Sequence, residues 1–250
     1  MCRARPPGGL AAFARDEASL TATTLFGPLA AQDDERARQL LAPFAAQIGR
    51  ARQVRAVLSG PLSAVAMHTL PWAGARLLDA VPVVYALDLP RRAPATAHGR
   101  RAVQRGGRSS CCAATRPTCL GRMAGADLLH YVGHARGDGW DGSLALGGER
   151  RRGVGDLLGV RGPRLALLGG CEMGLLDPRS HASGMSLAHA LLLAGAEAVI
   201  ATDAVVDDDA AAAVAPALLA RIAADESPAA ALRELQRTRA NAARFRVFVP

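Results

Sequence analysis

The chain has 250 residues, half of them apolar, and its 30 basic and 22 acidic residues give a formal charge of +8. That apolar fraction excludes a globally disordered chain. The length suffices for one good-sized core, or for one domain with a helical extension. Aromatics make up only 4%, so the core must rest mainly on Ala, Leu and Val.

The positive charge is local. Residues 91–122 hold eight arginines and no acid, which leaves the remainder balanced at 22 basic and 22 acidic residues. An Arg-rich stretch could contact nucleic acid or an anionic surface. This one lacks interleaved aromatics and any nucleic-acid motif, so a solvated irregular loop is expected and nucleic acid is not an expected partner. Of the five cysteines, Cys111, Cys112 and Cys119 sit in this stretch, Cys2 is near the start and Cys171 stands alone. An odd count in a chain of this size argues against a disulfide scaffold. The opening "MCRARPPGGLAAFARDE" has no apolar run of the kind a signal peptide needs, and no stretch of 18 apolar residues is free of charge. These features imply a soluble protein in a reducing, cytoplasmic setting, with no membrane partner.

In chain order, residues 1–50 read as a helical segment. "DDERARQLLAPFAAQIGRA" opens on Asp33 and Asp34 and spaces Leu40, Leu41, Phe44 and Ile48 for one helix face. From residue 51 the pattern changes. "VRAVL" (54–58) reads as a strand, "GPLSAVAM" as a turn and second strand, and "LPWAGARLLDA" as a loop into a short helix. "VPVVYAL" (81–87) is a further strand, followed by the basic stretch. "ADLLHYV" (126–132) is a buried strand, "SLALG" (143–147) a short one, "GVGDLLGV" a short helix, and "RLALLGG" (164–170) another buried strand. "GMSLAHALLLAGA" is a helix ending at Gly195, and "AVIA" (198–201) a strand. "DDDAAAAVAPALLARIAADE" is a helix with acids at its N-terminus and Pro216 inside it. "SPAAALRELQRTRANAA" is a helix started by a Ser cap and a first-position proline.

Buried strands alternating with helices imply an α/β fold with a mostly parallel central sheet and helices on both faces. In such sheets reactive groups gather at the carboxyl ends of the strands. "ADLLHYVGH" ends on His134, and "RLALLGGCEMG" carries Cys171. Neighbouring strands lie only about 5 Å apart, so the two side chains can meet. A free thiol titrates near pH 8.5, and an imidazole beside it makes the thiolate available as a nucleophile for acyl transfer. The oxyanion would need backbone N–H donors. The glycine-flanked segments supply them at Gly133, Ala135, Gly170 and Cys171.

Plainer readings compete with this one. A single cysteine at a strand end is commonly a small buried hydrophobe, and a single histidine on an apolar run a satisfied core residue. His130 and His134 are four apart and would share a helix face as zinc ligands do. The glutamate of that motif is absent, however, and the segment reads as a strand. Cys111, Cys112 and Cys119 form no C-x-x-C pair, so no metal is expected. There is no P-loop or G-x-G-x-x-G, so no nucleotide cofactor is expected either.

With these motifs on view, the chain resembles the CHAT domain, a caspase-like family of cysteine peptidase folds related to caspases and separases. "LSAVAMHTLPWAGARLL", "VPVVYAL", "ADLLHYVGHARGD", "SLAL", "LALLGGCEMG" and "GMSLAHALLLAGAEAVIAT" follow one another in the family's order. The resemblance covers roughly residues 35–242 and implies a caspase-like three-layer sandwich over residues 51–250. It places the catalytic histidine at His134 and the nucleophile at Cys171. The implied function is a cysteine endopeptidase using a His–Cys dyad on a protein or peptide substrate, without a cofactor and switched on by a protein partner. The alternative is a degenerate CHAT domain that serves as an interaction or regulatory scaffold. Asp141, Asp177 and Asp207 are candidates for a substrate pocket favouring a basic residue; the competing reading is that they cap helices and loops.

The chain departs from the family in three places. Asp203 and Ala204 stand where the family has Leu-Trp. Ala135 stands where the motif has Gly. The irregular, Arg- and Cys-rich stretch at 91–122 falls where the family has a further strand and helix.

Overall fold

The structure, a computed structural model, describes residues 34–58, 62–63, 65–87, 126–137, 139–145, 151–174 and 185–250. By their contacts they fall into two units, one of residues up to 54 with 65–83, the other of 55–64 with 84–250. The basic stretch 91–122, Asp177 and the first 33 residues of the helical segment lie outside the described residues.

In the first unit the expected helix forms in two pieces. Helix α1 (Asp34–Leu41) gives way to a 3-10 turn (Ala42–Phe44) and then α2 (Ala45–Ile48). Pro43 is the physical reason: it lacks the N–H that would continue the ladder, and its ring crowds the preceding turn. Of the apolar face read from the sequence, Leu40, Leu41 and Ile48 are buried, joined by Ala37, while Phe44, in the 3-10 turn, is only half-buried. "LPWAGARLLDA" holds a hairpin that the sequence reading missed, β2 (Pro71–Trp72) with β3 (Ala75–Arg76). Its turn residues Ala73 and Gly74 both have positive φ, 50° and 82°, the geometry that matches strand twist in a two-residue turn. Helix α3 (Leu77–Ala80) follows at once. The Asp79 carboxylate accepts from the Arg76 amide at 3.1 Å and pairs with the Arg76 guanidinium at 3.0 Å.

The central sheet of the described residues has six strands in the order β1–β4–β11–β10–β9–β5. Their bounds are β1 Val54–Ala56, β4 Val83–Ala86, β5 Leu128–Tyr131, β9 Leu165–Leu168, β10 Ala198–Thr202 and β11 Phe245–Val249. Three of the pairings are parallel, β5 with β9, β9 with β10, and β11 with β4; β10 and β11 run antiparallel. The second strand expected in "GPLSAVAM" does not form among the described residues. Met67 instead opens a 3-10 turn, Met67–Thr69. Strand β11, in "FRVFV", was not foreseen, and it occupies an interior place in the sheet.

Helices cover both faces. Leu165, Leu167, Ala198, Ile200, Phe245 and Val247 form one core cluster with residues of α6 (Asp208–Ala223) and α7 (Pro228–Thr238). On the other face, Phe248 meets His189 of α5 (Leu187–Leu193) edge-on, with ring centroids 5.4 Å apart. The α/β class and the mostly parallel central sheet expected from the sequence are thus what the chain forms. A small antiparallel sheet, β6 (Ala135–Arg136), β7 (Ser143–Ala145) and β8 (Arg151–Gly153), leads into α4 (Val154–Leu158). It begins directly after His134.

Candidate active site

Strands β5 and β9 are adjacent and parallel, with Tyr131 opposite Leu168. His134 lies three residues beyond Tyr131, and Cys171 three residues beyond Leu168. The two candidate residues therefore leave the sheet at the same register, on the same edge. The ladder continues one step past the strands: the Gly169 amide donates to the Tyr131 carbonyl at 2.8 Å.

The two segments are in direct backbone contact beyond that point. A β-carbon on Gly170 would lie 2.6 Å from the Gly133 carbonyl oxygen and 3.3 Å from the Ala135 β-carbon. One on Gly137 would lie 2.1 Å from the Glu172 carbonyl oxygen. Only glycine permits such approaches. Gly133, Ala135 and Gly170, proposed from the sequence as oxyanion donors, are thus brought together around the strand ends.

The main chain of His134 is pinned from two sides. The buried Tyr131 hydroxyl lies 2.8 Å from the His134 carbonyl and 2.9 Å from the Ala145 carbonyl, so its one proton serves either acceptor. The Ala145 amide donates to the same His134 carbonyl at 3.0 Å. The His134 side chain is exposed. His130 lies within β5, so the helical pairing of His130 with His134 does not form; burial pushes the His130 imidazole below its usual value. Among the described residues no three His, Cys, Asp or Glu side chains cluster as a metal site.

Cys171 sits on a tight turn, half-buried. Its Sγ lies 3.6 Å from the Val206 carbonyl, to which the thiol donates, and it packs against the α6–α7 core. Glu172 follows with φ of 56°, a left-handed conformation that costs a non-glycine residue energy and turns the chain sharply after the thiol. The end of β10 grips this turn. The Thr202 hydroxyl donates to the Gly170 carbonyl at 2.5 Å, the Glu172 amide to Ala204 at 3.1 Å, and the Gly174 amide to Thr202 at 2.8 Å.

The acidic candidates are less concentrated. Asp141 is exposed on the turn Gly139–Asp141 between β6 and β7. Asp207 accepts the Asp209 amide at 2.9 Å, as a helix-capping residue does. Sequence reasoning missed Tyr131, Thr202, Glu172 and a buried ion pair between Asp203 and Arg246.

Among the described residues no helix is long and apolar enough to cross a membrane. A comparison with curated proteins finds no match. The family model of the CHAT domain matches residues 89–246, more than half of the chain, and that span includes β5, β9, β10 and both candidate residues. The chain belongs to the CHAT domain family, a caspase-like, peptidase-related family.

Proposed function

We propose that this chain is a cysteine endopeptidase of caspase-like type, with Cys171 as nucleophile and His134 as its proton partner. The observation that carries this reading is the shared register of the two residues on adjacent parallel strands, with their loops in backbone contact. In the proposed reaction the thiol proton passes to the imidazole, and the sulfur bonds to the scissile carbonyl carbon. The carbonyl pair moves to oxygen, which backbone N–H groups of the Gly133–Ala135 and Gly170–Cys171 segments receive. The tetrahedral species then expels the amine as the C–N bond breaks, and the imidazolium protonates it. Water, deprotonated by the imidazole, cleaves the thioester and restores the thiol.

The same reading includes a protein or peptide substrate, a cytoplasmic setting and activation by a partner protein. The contact between Cys171 Sγ and the Val206 carbonyl supports the last point. A thiol donating to a carbonyl is in its resting form, and an activator would act by freeing it. Asp141, exposed beside the β6–β7 connection, is the described candidate for favouring a basic residue before the scissile bond. That Sγ contact equally favours a second reading, a degenerate domain that serves as an interaction scaffold with a structural cysteine.

Alkylation of Cys171 by iodoacetamide at neutral pH, followed on its own peptide by mass spectrometry, separates the two. The endopeptidase reading expects wild type to react faster than His134→Ala. Equal slow labelling of both favours the scaffold. Cleavage of a peptide library by wild type but not by Cys171→Ala, with candidate activators added, tests the activity itself.

A further inference from the structure

The ion pair between Asp203 and Arg246 is almost fully buried, with side chains 7% and 4% exposed. Their charged atoms meet at 2.5 Å. Arg246 also donates to the Ser63 carbonyl at 3.0 Å, and its guanidinium lies 4.5 Å from the centre of the Tyr85 ring. The Oδ1 of Asp203 has no hydrogen-bond partner among the described residues. Two desolvated charges with an unsatisfied oxygen make a poor stabilising device, since apolar residues of similar volume do as well or better.

The position of the pair gives it another role. Asp203 lies between Thr202 and Ala204, and every residue from 202 to 206 except Asp203 and Val205 makes a hydrogen bond to the Cys171 turn. Thr202 serves Gly170 and Gly174, Ala204 serves Glu172, and Val206 receives the thiol. Asp203 itself is tied by its carboxylate to Arg246 of β11 and by its amide, at 3.0 Å, to the carbonyl of Arg244, the residue just before that strand. The segment that cradles the nucleophile is therefore held to β11 by this pair beyond the point where the β10–β11 ladder ends at Thr202.

We infer that Arg246, acting through Asp203, is a positioning residue for Cys171, setting the turn that presents the thiol to His134. This rests on the dyad reading above. His134 is fixed separately, by Tyr131 and Ala145. Loosening the cradle therefore acts first on Cys171 and its turn.

The test is the rate and pH profile of Cys171 alkylation by iodoacetamide, read on the Cys171 peptide, in the full chain. The variants are His134→Ala, Arg246→Met, Arg246→Lys and the double variant Asp203→Leu with Arg246→Met, each with its thermal midpoint. Arg246→Met leaves a buried carboxylate unpaired and lowers the midpoint. The double variant removes both charges and recovers it. The positioning role expects the double variant, though as stable as wild type, to alkylate about tenfold more slowly at neutral pH, the effect of a one-unit upward shift in the profile. Arg246→Lys keeps a cation opposite Asp203 and falls between the two, and whichever of these variants fold carry the reading. A slow His134→Ala beside folded Asp203 and Arg246 variants with wild-type rate and profile overturns the positioning role alone. Equal rates for wild type and His134→Ala overturn the dyad, and the positioning role with it.

Discussion

The α-carbon of Gly170 is packed so closely onto Gly133 that a β-carbon there would stand 2.6 Å from the Gly133 carbonyl oxygen. The same β-carbon would lie 2.4 Å from the Met173 side chain, whose residue is fully buried. Gly170→Ala is therefore expected to push the two strand-end loops apart, at a cost of about 1–3 kcal/mol. Gly155, in α4, has nothing within 4 Å of its would-be β-carbon. Gly155→Ala should be stabilising by up to about 1 kcal/mol. Urea unfolding of both variants checks the contrast, and equal effects would show that the loops have room to part.

Tyr131→Phe removes the hydroxyl that reaches the His134 and Ala145 carbonyls. The ring stays in place, so the expected loss of stability is small, about 1 kcal/mol. The larger effect should fall on His134: the alkylation rate of Cys171 is expected to drop toward that of His134→Ala. An unchanged rate would mean that the Ala145 amide alone fixes the loop.

His189 is 7% exposed, and its Nδ1 lies 2.7 Å from the Ser186 hydroxyl. Burial lowers its pKa from 6.5 to about 4. In the unfolded chain it takes a proton below about pH 6.5, whereas in the folded chain it refuses one until about pH 4. Between these values the unfolded state binds more protons, so stability falls as pH drops through the window and is flat above it. The integrated loss is about 3 kcal/mol. Thermal midpoints from pH 7 to 4 should follow this course, and His189→Gln should flatten it in part. The residual slope would belong to other groups shifted the same way, His130 among them.

Pro216 stands inside α6 with its ring exposed. It offers no N–H to the carbonyl one turn earlier, that of Ala212, and the Arg239 guanidinium donates to the next carbonyl, that of Ala213, at 2.8 Å. Pro216→Ala restores a helical hydrogen bond and is expected to raise stability by about 1–2 kcal/mol, after the greater freedom of the unfolded chain is set against it. Chemical denaturation reads this directly. A loss would mean that the helix here is shaped by its packing and not by the proline.

The β9 and β10 strands were legible because they are buried on both faces and read as continuous apolar runs, and β5 because Leu128, Leu129 and Tyr131 keep the run apolar around His130. Strand β11 was not. In "FRVFV" a charged residue interrupts the run, and only the structure reveals that Arg246 finds Asp203 far away in sequence. The β2–β3 hairpin was hidden for another reason: its turn uses Ala73 where Asn or Asp would have announced a positive φ. The single helix after Asp33 was misread because periodicity carries across Pro43 even though the backbone does not. At the site, His134 and Cys171 could be found from their glycine-rich settings at strand ends. The cradle of Thr202, Ala204 and Val206 could not, since apart from the Thr202 hydroxyl it acts through main-chain carbonyls that every residue possesses.

Among the described residues, strand β4 reaches the half-sheet of β5, β9 and β10 only by way of β11. Until Phe245–Val249 inserts, two open edges face each other with no template between them, and closing the gap joins segments far apart along the chain. Such an assembly order makes for slow folding and a waiting species able to recruit strands from other molecules. The yield of native protein should therefore depend on concentration and on chaperones during that delay, more than on how stable the finished sheet is.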